Sequence, residues 1–241
     1  MNQYRILNAA DSALVVEFGA TIDRAVSDRV LALAETLKSA ALPGVTGIVA
    51  TFRSLSVNYD AMVTTGRELE AAIASLLKTT GSLSRARRLW HIPVCYDTAF
   101  ASDIEDVASS TGLRPADVTA LHAGVTYHVY MIGFVPGYPY MGGLPDKLHL
   151  PRRKDPRTRV PPGSVAIATS MTAVYPYESP GGWHLIGTTP VRFFDPESTS
   201  GALLGPGDAV KFEPVTAATF SEIHAAVQCN SFVPDSEEIT A

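Results

Sequence analysis

Apolar and polar positions in the first part of the chain follow two different periods. Over residues 12–18, apolar side chains recur at every second position, which predicts a strand with one buried face. Residues 23–40 and 64–78 repeat apolar side chains at the spacing of amphipathic helices. Further strands are predicted at residues 4–7, 45–52, 54–59 and 86–94. This order of strands, with the helices on one face of the sheet, predicts a small α+β layer.

Turn residues mark two short helices after the last of these strands. Ser102 and Glu105 have the spacing of a capping box, in which each side chain bonds the backbone amide of the other residue. We expect that helix to end at Gly112, because glycine readily adopts the left-handed conformation found at helix C-termini. The next helix is expected to have Pro115 in its first turn and to end at His122.

Strand periodicity dominates the second part of the chain. Residues 125–132 alternate between two faces, one of which carries Tyr127 and Val129. Further short strands are predicted at residues 164–168, 183–188, 191–194 and 209–212. Their spacing predicts a closed or nearly closed β-barrel with irregular loops. A short helix over 220–227 and a frayed polar tail over 230–241 are expected to follow.

A polar and basic break at residues 81–85 separates the two patterns. We therefore predict two domains, an N-terminal α+β domain over residues 1–85 and a β-barrel domain over residues 86–241. The 241 residues of the chain suit two domains of modest size. The predicted fold class of the whole chain is α+β.

Glycine, proline and aromatic residues are concentrated between residues 133 and 195. Three segments, 133–143, 156–164 and 175–187, carry most of them. Glycine permits positive φ and close backbone approach, whereas proline restricts φ and lacks an N–H donor. This density indicates shaped loops rather than ordinary helices or central strands, and such loops commonly carry function. The alternative interpretation is a set of tight turns in an all-β domain.

Composition and charge narrow the class of protein. Hydrophobic residues make up 46% of the chain and charged residues 18%, as in a globular protein with a substantial core. The net charge of −5 argues against a general nucleic-acid binder, and no apolar run approaches the roughly 20 residues that span a bilayer. The N-terminus lacks the apolar core of a signal peptide. Because Cys95 and Cys229 also form no CxxC pair, we expect a cytoplasmic protein with free thiols. No zinc site is expected, since the sequence has no Cys/His cluster with ligand spacing.

The basic residues between 147 and 159 are candidates for anion binding. Arg157 and Arg159 are the strongest of them, because Pro156 and Pro161 restrain the chain around them. The arginine side chain presents a planar donor fork that matches carboxylate or phosphate oxygens. In an extended segment the two side chains would point to the same side. The alternative interpretation is a solvated surface loop.

Glu178 is a candidate general base, since aromatic, proline and glycine residues flank it. Such neighbours would desolvate its carboxylate and raise its pKa, whereas the alternative is an exposed turn acid. Ser179 lies in no nucleophile-elbow motif and Cys95 has no flanking histidine, so neither is expected to be a nucleophile. His122 and the other histidines of the second domain are expected to be structural. The P-loop motif is absent from the sequence.

The chain resembles, nearly end to end, the allophanate hydrolase subunit 1 family, which is also called the carboxyltransferase domain C/D family. The resemblance rests on the three segments defined above and on the motifs Arg53–Leu55, Ile92–Asp97 and Gly207–Phe212. It implies a small N-terminal α+β domain followed by a cyclophilin-like β-barrel domain. It also implies a partner protein of the subunit 2 type, which is PxpC in the oxoprolinase system.

The resemblance implies three alternative activities. The first is ATP-dependent opening of 5-oxo-L-proline to L-glutamate, with Mg²⁺ expected beside the ATP, by a complex that also contains PxpC-like and PxpA-like subunits. In that case the chain is expected to be inactive alone. The second is inhibition of a sensor histidine kinase, as in KipI. The third is a role as a subunit of a urea or allophanate carboxyltransferase.

Residue roles for the first activity can be assigned as hypotheses. Arg157 and Arg159 would hold the transferring phosphoryl group, and Glu178 would act as the base for water or the ring N–H. Glycines would let backbone N–H groups approach an anion, and aromatic side chains would line the pocket. The predicted ligand-binding residues are Gly137, Tyr138, Tyr140, Gly142, Gly143, Ser179, Gly181, Gly182 and Trp183.

Overall fold

The computed structural model describes residues 4–79, 81, 86–198 and 201–239. Backbone contacts divide the chain into two compact units, one that runs to Ala86 and one over Arg87–Ile239. Most of the predicted basic break at 81–85 lies outside the described residues. Within the described ranges, no helix is long and apolar enough to cross a membrane.

The first unit is a four-stranded antiparallel sheet packed against helices. Its elements are β1 (Arg5–Asn8), β2 (Ala13–Glu17), α1 (Arg24–Ala40), β3 (Val45–Ala50), β4 (Ser54–Tyr59) and α2 (Gly66–Leu76). The strand order is β1-β2-β4-β3. Leu14 and Val16 of β2, with Leu55 and Val57 of β4, are buried in one cluster with helical residues such as Leu33. The α+β layer predicted for this part of the chain is confirmed.

Capping side chains determine where the helices of the first unit begin. The Asp23 carboxylate accepts hydrogen bonds from the amides of Ala25 and Val26 at the start of α1. Thr65 and Glu68 form a reciprocal capping box at the start of α2. Because these side chains satisfy amides that have no partner within the helix, both helices start close to their predicted positions.

The second unit contains an eight-stranded sheet, a separate two-stranded sheet and flanking helices. Its elements are β5 (Arg87–Val94), α3 (Ile104–Thr111), α4 (Pro115–Ala123), β6 (Thr126–Ile132), β7 (Pro139–Gly142), a 3-10 helix (Asp146–Leu148), β8 (Arg157–Val160), β9 (Ser164–Ala168), β10 (Met171–Val174), β11 (Ser179–Gly181), β12 (His184–Thr188), β13 (Ala209–Pro214), α5 (Ala217–Gln228) and β14 (Ser236–Ile239). The large sheet has the order β12-β9-β10-β7-β6-β13-β5-β14, and β8 pairs with β11. In the large sheet β5 and β13 are parallel, and the other neighbours are antiparallel.

An isolated antiparallel bridge connects β12, at one edge of the large sheet, to the end of β5. Cys95, the residue after β5, and Thr188 of β12 exchange backbone hydrogen bonds of 2.8 and 2.9 Å. The strands from β12 through to β5 therefore form a ring, while β14 lies outside it and pairs with β5. The predicted β-barrel is thus nearly closed, by one bridge rather than by a continuous strand ladder.

The core of the second unit combines strand and helix side chains. Ile92 and Val94 of β5, Val129 of β6, Val107 of α3 and Val118 of α4 are completely buried in one cluster. Burial of each such side chain contributes roughly 1.5–3 kcal/mol relative to exposure. The helices α3 and α4 are therefore held to the sheet through its core.

Three segments of the second unit differ from the predictions. Residues 191–194 form no strand, since Phe194 makes only an isolated bridge. Residues 236–239, predicted as part of a frayed tail, form β14 because their backbone pairs with the free edge of β5. Residues 139–142 and 171–174 lie in the stretch expected to lack central strands, yet they form β7 and β10 inside the sheet. Short apolar runs between turn residues are sufficient for these strands.

The start of α3 also differs from the prediction. Asp103, rather than Ser102, is the N-cap residue, and its side chain makes no capping hydrogen bond. Its carboxylate instead accepts a hydrogen bond of 2.7 Å from the backbone amide of Leu185. The predicted capping box is therefore wrong, because a tertiary contact engages the carboxylate. Gly112 and Pro115 do occupy their predicted positions at the end of α3 and the start of α4.

Candidate functional site

Four aromatic side chains from separate segments of the second unit form a group that we call the aromatic cluster: Tyr138, Tyr140, Tyr175 and Trp183. The Tyr138 ring centroid lies 5.0 Å from those of both Tyr140 and Tyr175. The Trp183 ring lies edge-on to Tyr138 and Tyr140, at 6.3 and 6.0 Å. Edge-to-face contacts of this kind are favoured by the ring quadrupoles. The fold thus brings together three predicted ligand-binding residues, Tyr138, Tyr140 and Trp183.

The aromatic cluster is buried at its centre and accessible at one edge. Tyr138, Tyr175 and Trp183 are almost fully buried, whereas Tyr140 is half-buried. Burial raises the pKa of each of the three tyrosines, so their hydroxyls stay protonated at neutral pH. The interaction between the Tyr138 and Tyr175 side chains raises the pKa of Tyr138 further. The cluster is therefore a neutral aromatic surface with Tyr140 at its accessible edge.

Gly181 packs directly against the aromatic cluster. A Cβ atom at this position would lie 2.7 Å from Cζ of Tyr175 and closer still to its hydroxyl oxygen. At Gly182, by contrast, a Cβ atom would meet Pro156 at 3.6 Å, which is an ordinary van der Waals distance. Gly181 therefore has no room for a side chain, whereas Gly182 does, although both were predicted as ligand-binding residues.

At three other predicted ligand-binding glycines, the local structure itself requires glycine. Gly137 and Gly143 adopt φ of 77° and 103°, which disfavours any side chain there. A Cβ atom at Gly137 would also lie 2.7 Å from Cβ of Phe194. Gly142 lies in β7, where a Cβ atom would overlap the ring of Tyr130. Contact between these backbone amides and an anion remains a prediction.

Arg157 donates its hydrogen bonds to a protein carboxylate. Its Nη1 and Nη2 atoms lie 3.0 Å from Oδ2 and 2.6 Å from Oδ1 of Asp103. Arg153 adds a third hydrogen bond to Asp103 Oδ1, at 3.1 Å. The Asp103 side chain is 2% exposed, and those of Arg153 and Arg157 are 29% and 25% exposed. We call these three side chains the Asp103 cluster; it directs the Arg157 fork toward Asp103 instead of toward an open anion site.

Arg159 and Glu178 form an ion pair at the surface. Nε and Nη2 of Arg159 lie 2.9 and 2.8 Å from Glu178 Oε1. The two side chains are 76% and 52% exposed. The desolvated environment expected for Glu178 is therefore not present in this chain, because water and a guanidinium both reach its carboxylate. The assignment of Glu178 as a general base remains a prediction.

Ser179, the next residue, is buried in β11. Its side chain is shielded from solvent, and its hydroxyl has no hydrogen-bond partner within the part of the chain that the structure describes. A buried polar group without a partner costs about 1–3 kcal/mol. The ligand-binding role predicted for Ser179 is compatible with this hydroxyl and remains a prediction.

Asp103 was not predicted as a site residue, and Arg152 was predicted only as one member of the basic run between residues 147 and 159. The Arg152 side chain is exposed, and its guanidinium carbon lies 5.9 Å from the Trp183 ring centroid. In the sequence, Arg152 is one of several basic residues, and Asp103 resembles an ordinary acid at a helix start. Only their contacts in the folded chain distinguish them from their neighbours.

His122 belongs to the core of the second unit. The Tyr96 hydroxyl lies 2.8 Å from its Nδ1, and Thr172 Oγ1 lies 2.9 Å from its Nε2. Thr172 donates its own proton to the Ala166 carbonyl, so it accepts from Nε2–H. Nδ1 then accepts from Tyr96. Burial lowers the pKa of His122 to about 3, and the structural role expected for this histidine is confirmed.

Curated relatives cover most of the chain, and the two described here are both named as the B subunit of 5-oxoprolinase. The chain is 38% identical over 222 residues to the protein of Bacillus subtilis (strain 168), with 87% of this chain and 92% of that protein aligned. It is 38% identical over 220 residues to the protein of Escherichia coli O157:H7, with 89% and 97% aligned.

Solved structures share the fold. The crystal structure of TTHA0988 matches with a TM-score of 0.78 at 37% identity, over 85% of this chain and 40% of that chain. This chain therefore spans less than half of TTHA0988. The urea amidolyase of K. lactis matches with a TM-score of 0.79 over 98% of this chain and 16% of its own, but at 19% identity this likeness concerns the fold alone.

A family model places the chain among these relatives. The model for "Carboxyltransferase domain, subdomain C and D" matches residues 4–204, which include every residue of the aromatic cluster and of the Asp103 cluster. The match covers residues of both compact units and ends at residue 204, within the second. The chain therefore belongs to the carboxyltransferase domain, subdomain C and D, family.

Proposed function

We propose that the chain is the B subunit (PxpB) of an ATP-dependent 5-oxoprolinase, which opens 5-oxo-L-proline to L-glutamate. The observation that carries this proposal is the 38% identity to two curated 5-oxoprolinase B subunits over nearly their whole length. The naming of these relatives as B subunits supports a multi-subunit enzyme. The proposed partners are a PxpC-like protein of the allophanate hydrolase subunit 2 type and a PxpA-like protein.

A 5-oxoprolinase must activate a poor electrophile. The lactam carbonyl of 5-oxoproline is stabilised by resonance, and ATP supplies the activation that lets water open the ring. The described residues do not fit a complete nucleotide site, because Arg157 is engaged by Asp103 and Arg159 by Glu178. We therefore propose that ATP and its Mg²⁺ bind in or near the interface with the partner subunits.

The side chains of this chain suggest which part of the site it contributes. The aromatic cluster offers an apolar surface for the five-membered ring of the substrate. Glu178 is half-exposed in the isolated chain, and burial beneath a partner would desolvate it as a general base requires. A site completed in this way explains why we expect the isolated chain to be inactive.

The two other activities expected from the resemblance have less support. The likeness to urea amidolyase concerns the fold alone at its level of identity. No contact among the described residues favours binding of a kinase over binding of a lactam. We therefore retain 5-oxoprolinase activity as the function with the most support.

Reconstitution tests the proposed function. The chain is purified with PxpC-like and PxpA-like proteins, and ADP release and glutamate formation are measured with and without 5-oxoproline. The full set is expected to couple the two products, and the chain alone is expected to form neither. If no combination of the three proteins hydrolyses 5-oxoproline, the proposed function is wrong.

A variant in the same assay tests the base assignment separately. Glu178→Gln is expected to lower kcat of the complex by about 100-fold or more, because it removes the proton acceptor. Glu222→Gln, which changes an exposed acid on α5, is the matched control and is expected to retain wild-type turnover. Normal turnover of the Glu178 variant would withdraw its catalytic role and leave the subunit assignment intact.

A further inference from the structure

The backbone around Arg152 is fixed to the segment that carries Trp183. The carbonyl of Pro151 accepts a hydrogen bond of 2.9 Å from Nε2 of His184. The amide of Arg153 donates a hydrogen bond of 2.8 Å to the carbonyl of the glycine before Trp183. Arg152 is therefore held by contacts on both sides, so little backbone entropy is lost when its side chain binds a ligand.

The Arg152 side chain is an uncommitted cation beside aromatic rings. Its guanidinium carbon lies 5.9 Å from the Trp183 ring centroid, within the range of a cation–π contact. Arg153 and Arg157 donate to Asp103, and Arg159 donates to Glu178. Within the described ranges, no carboxylate lies at ion-pair distance from Arg152. Its donors are therefore available to an anion.

The surroundings of Arg152 favour an anion that also has an apolar part. Burial raises the pKa of the three cluster tyrosines, whereas the positive charge of Arg152 lowers the pKa of each of them. The charge of Arg152 therefore acts on all three tyrosines. Arg153 and Arg157 share one carboxylate, that of Asp103, which leaves an excess of positive charge nearby. The half-buried ring of Tyr140 supplies an adjacent apolar surface.

We propose that Arg152 and the aromatic cluster form a carboxylate-recognition site. The guanidinium fork binds a ligand carboxylate, and the apolar ring of the ligand packs against Tyr140. The identity of the ligand, 5-oxoproline, rests on the proposed function, whereas its anionic class follows from the contacts of Arg152. A triphosphate fits less well, because it needs several cations or a cradle of backbone amides. Arg152 would then select lactams that carry a carboxylate.

Calorimetric titration tests the site in the full chain and in the reconstituted complex. The probes are 5-oxoproline, 2-pyrrolidinone, which has the same ring without the carboxylate, and ATP. Arg152→Met is expected to weaken 5-oxoproline binding about 10- to 100-fold, the usual cost of losing a hydrogen bond to a charged group. Arg152→Lys keeps the charge without the fork and is expected to give an intermediate loss. Arg67→Met, the same substitution at an exposed arginine on α2, is the matched control and is expected to bind as wild type.

Steady-state kinetics of the complex provide a second readout. Arg152→Met is expected to raise KM for 5-oxoproline by the same factor while kcat and KM for ATP change less than about 2-fold. A loss confined to ATP, or an equal loss for 2-pyrrolidinone and 5-oxoproline, would overturn the carboxylate assignment. So would the absence of 5-oxoproline binding to both the wild-type chain and the complex.

The outcomes also separate this inference from the proposed function. A complex that binds 5-oxoproline through Arg152 but never opens it would refute the 5-oxoprolinase proposal and leave the site in place. A complex that opens 5-oxoproline with an unchanged KM in Arg152→Met would refute the site and leave the function in place.

Discussion

Asp103 connects parts of the second unit that are distant in sequence. Its buried carboxylate accepts from Arg153, Arg157 and the Leu185 amide, so it links the start of α3 to β8 and β12. The pair with Arg157 joins residues 54 positions apart. A carboxylate removed from water in this way is stabilising only while all its donors are present.

Asp103→Asn is expected to lower the free energy of unfolding by about 2–4 kcal/mol. This cost lies somewhat below the range of about 3–5 kcal/mol usual for a broken buried ion pair, because Arg153 and Arg157 retain some contact with water. Asp106→Asn, which changes an exposed acid in the same helix, is expected to cost less than about 1 kcal/mol. Urea denaturation of both variants measures the difference. Equal losses would show that the Asp103 cluster contributes no more than a surface acid.

His122 makes the stability of the second unit depend on pH. Its pKa is about 3 in the folded chain, so the unfolded chain binds an extra proton between about pH 3 and the ordinary histidine value of 6.5. Stability from this group is fully present above pH 6.5 and is lost as pH falls toward 3. The free energy of unfolding is expected to change with pH by at most about 1.4 kcal/mol per pH unit from this group.

His122→Gln is expected to remove this part of the pH dependence, because glutamine does not titrate. The measurement is the free energy of unfolding at a series of pH values between 4 and 7 for wild type and variant. His224→Gln, at an exposed position on α5, is expected to leave the wild-type slope unchanged. Identical slopes for wild type and His122→Gln would mean that His122 is not held neutral by burial.

At the scale of elements, glycine permits the close packing of the strands and loops around the aromatic cluster. β8 and β11 form a short two-stranded sheet, and Gly181 at the end of β11 lies against the buried Tyr175 ring. A side chain at position 181 would displace a phenol ring that also packs against Tyr138, with 5.0 Å between the ring centroids. Gly182 has no comparable contact. The packing therefore requires the absence of a side chain at Gly181 and Gly137 but not at Gly182, whose ligand-binding role remains a prediction.

Gly181→Ala is expected to lower stability by about 1–3 kcal/mol and to weaken the ligand site, because overpacking moves Tyr175. Gly182→Ala, one residue away, is expected to change stability by less than about 1 kcal/mol. Thermal unfolding and near-ultraviolet circular dichroism, which reports on the packing of tyrosine and tryptophan rings, measure both effects. If the two alanine variants behave alike, the steric argument fails.

At the scale of the whole molecule, each compact unit has its own core. Leu14, Leu33 and Leu55 belong to the cluster of the first unit, and Val94 and Val129 belong to that of the second. The division of the chain after Ala86 follows these cores. A unit with its own core and complete sheet has the features of an independent folding domain.

Separate expression of residues 1–86 and 87–241 tests this division. Each fragment is expected to unfold in a cooperative thermal transition, followed by far-ultraviolet circular dichroism. A fragment over 126–241 is the control, and it is expected not to fold because it lacks β5, α3 and α4. If fragment 87–241 were as unfolded as the control, the second unit would not be an autonomous domain.

The sequence by itself determined the local elements of this protein and its family. Apolar periodicity predicted the helices and strands of the first unit, and Gly112 and Pro115 marked a helix end and a helix start, because these signals act over only a few residues. Tertiary structure alone decided that Arg152 has no ion-pair partner among the described residues and that Asp103 is buried. Arg157 and Arg152 look alike in the sequence. In the folded chain, Arg157 donates hydrogen bonds to Asp103, whereas Arg152 lies beside the Trp183 ring. Cys95 and Thr188 likewise meet only when the barrel closes. Such pairings depend on long-range packing, which local residue patterns do not encode.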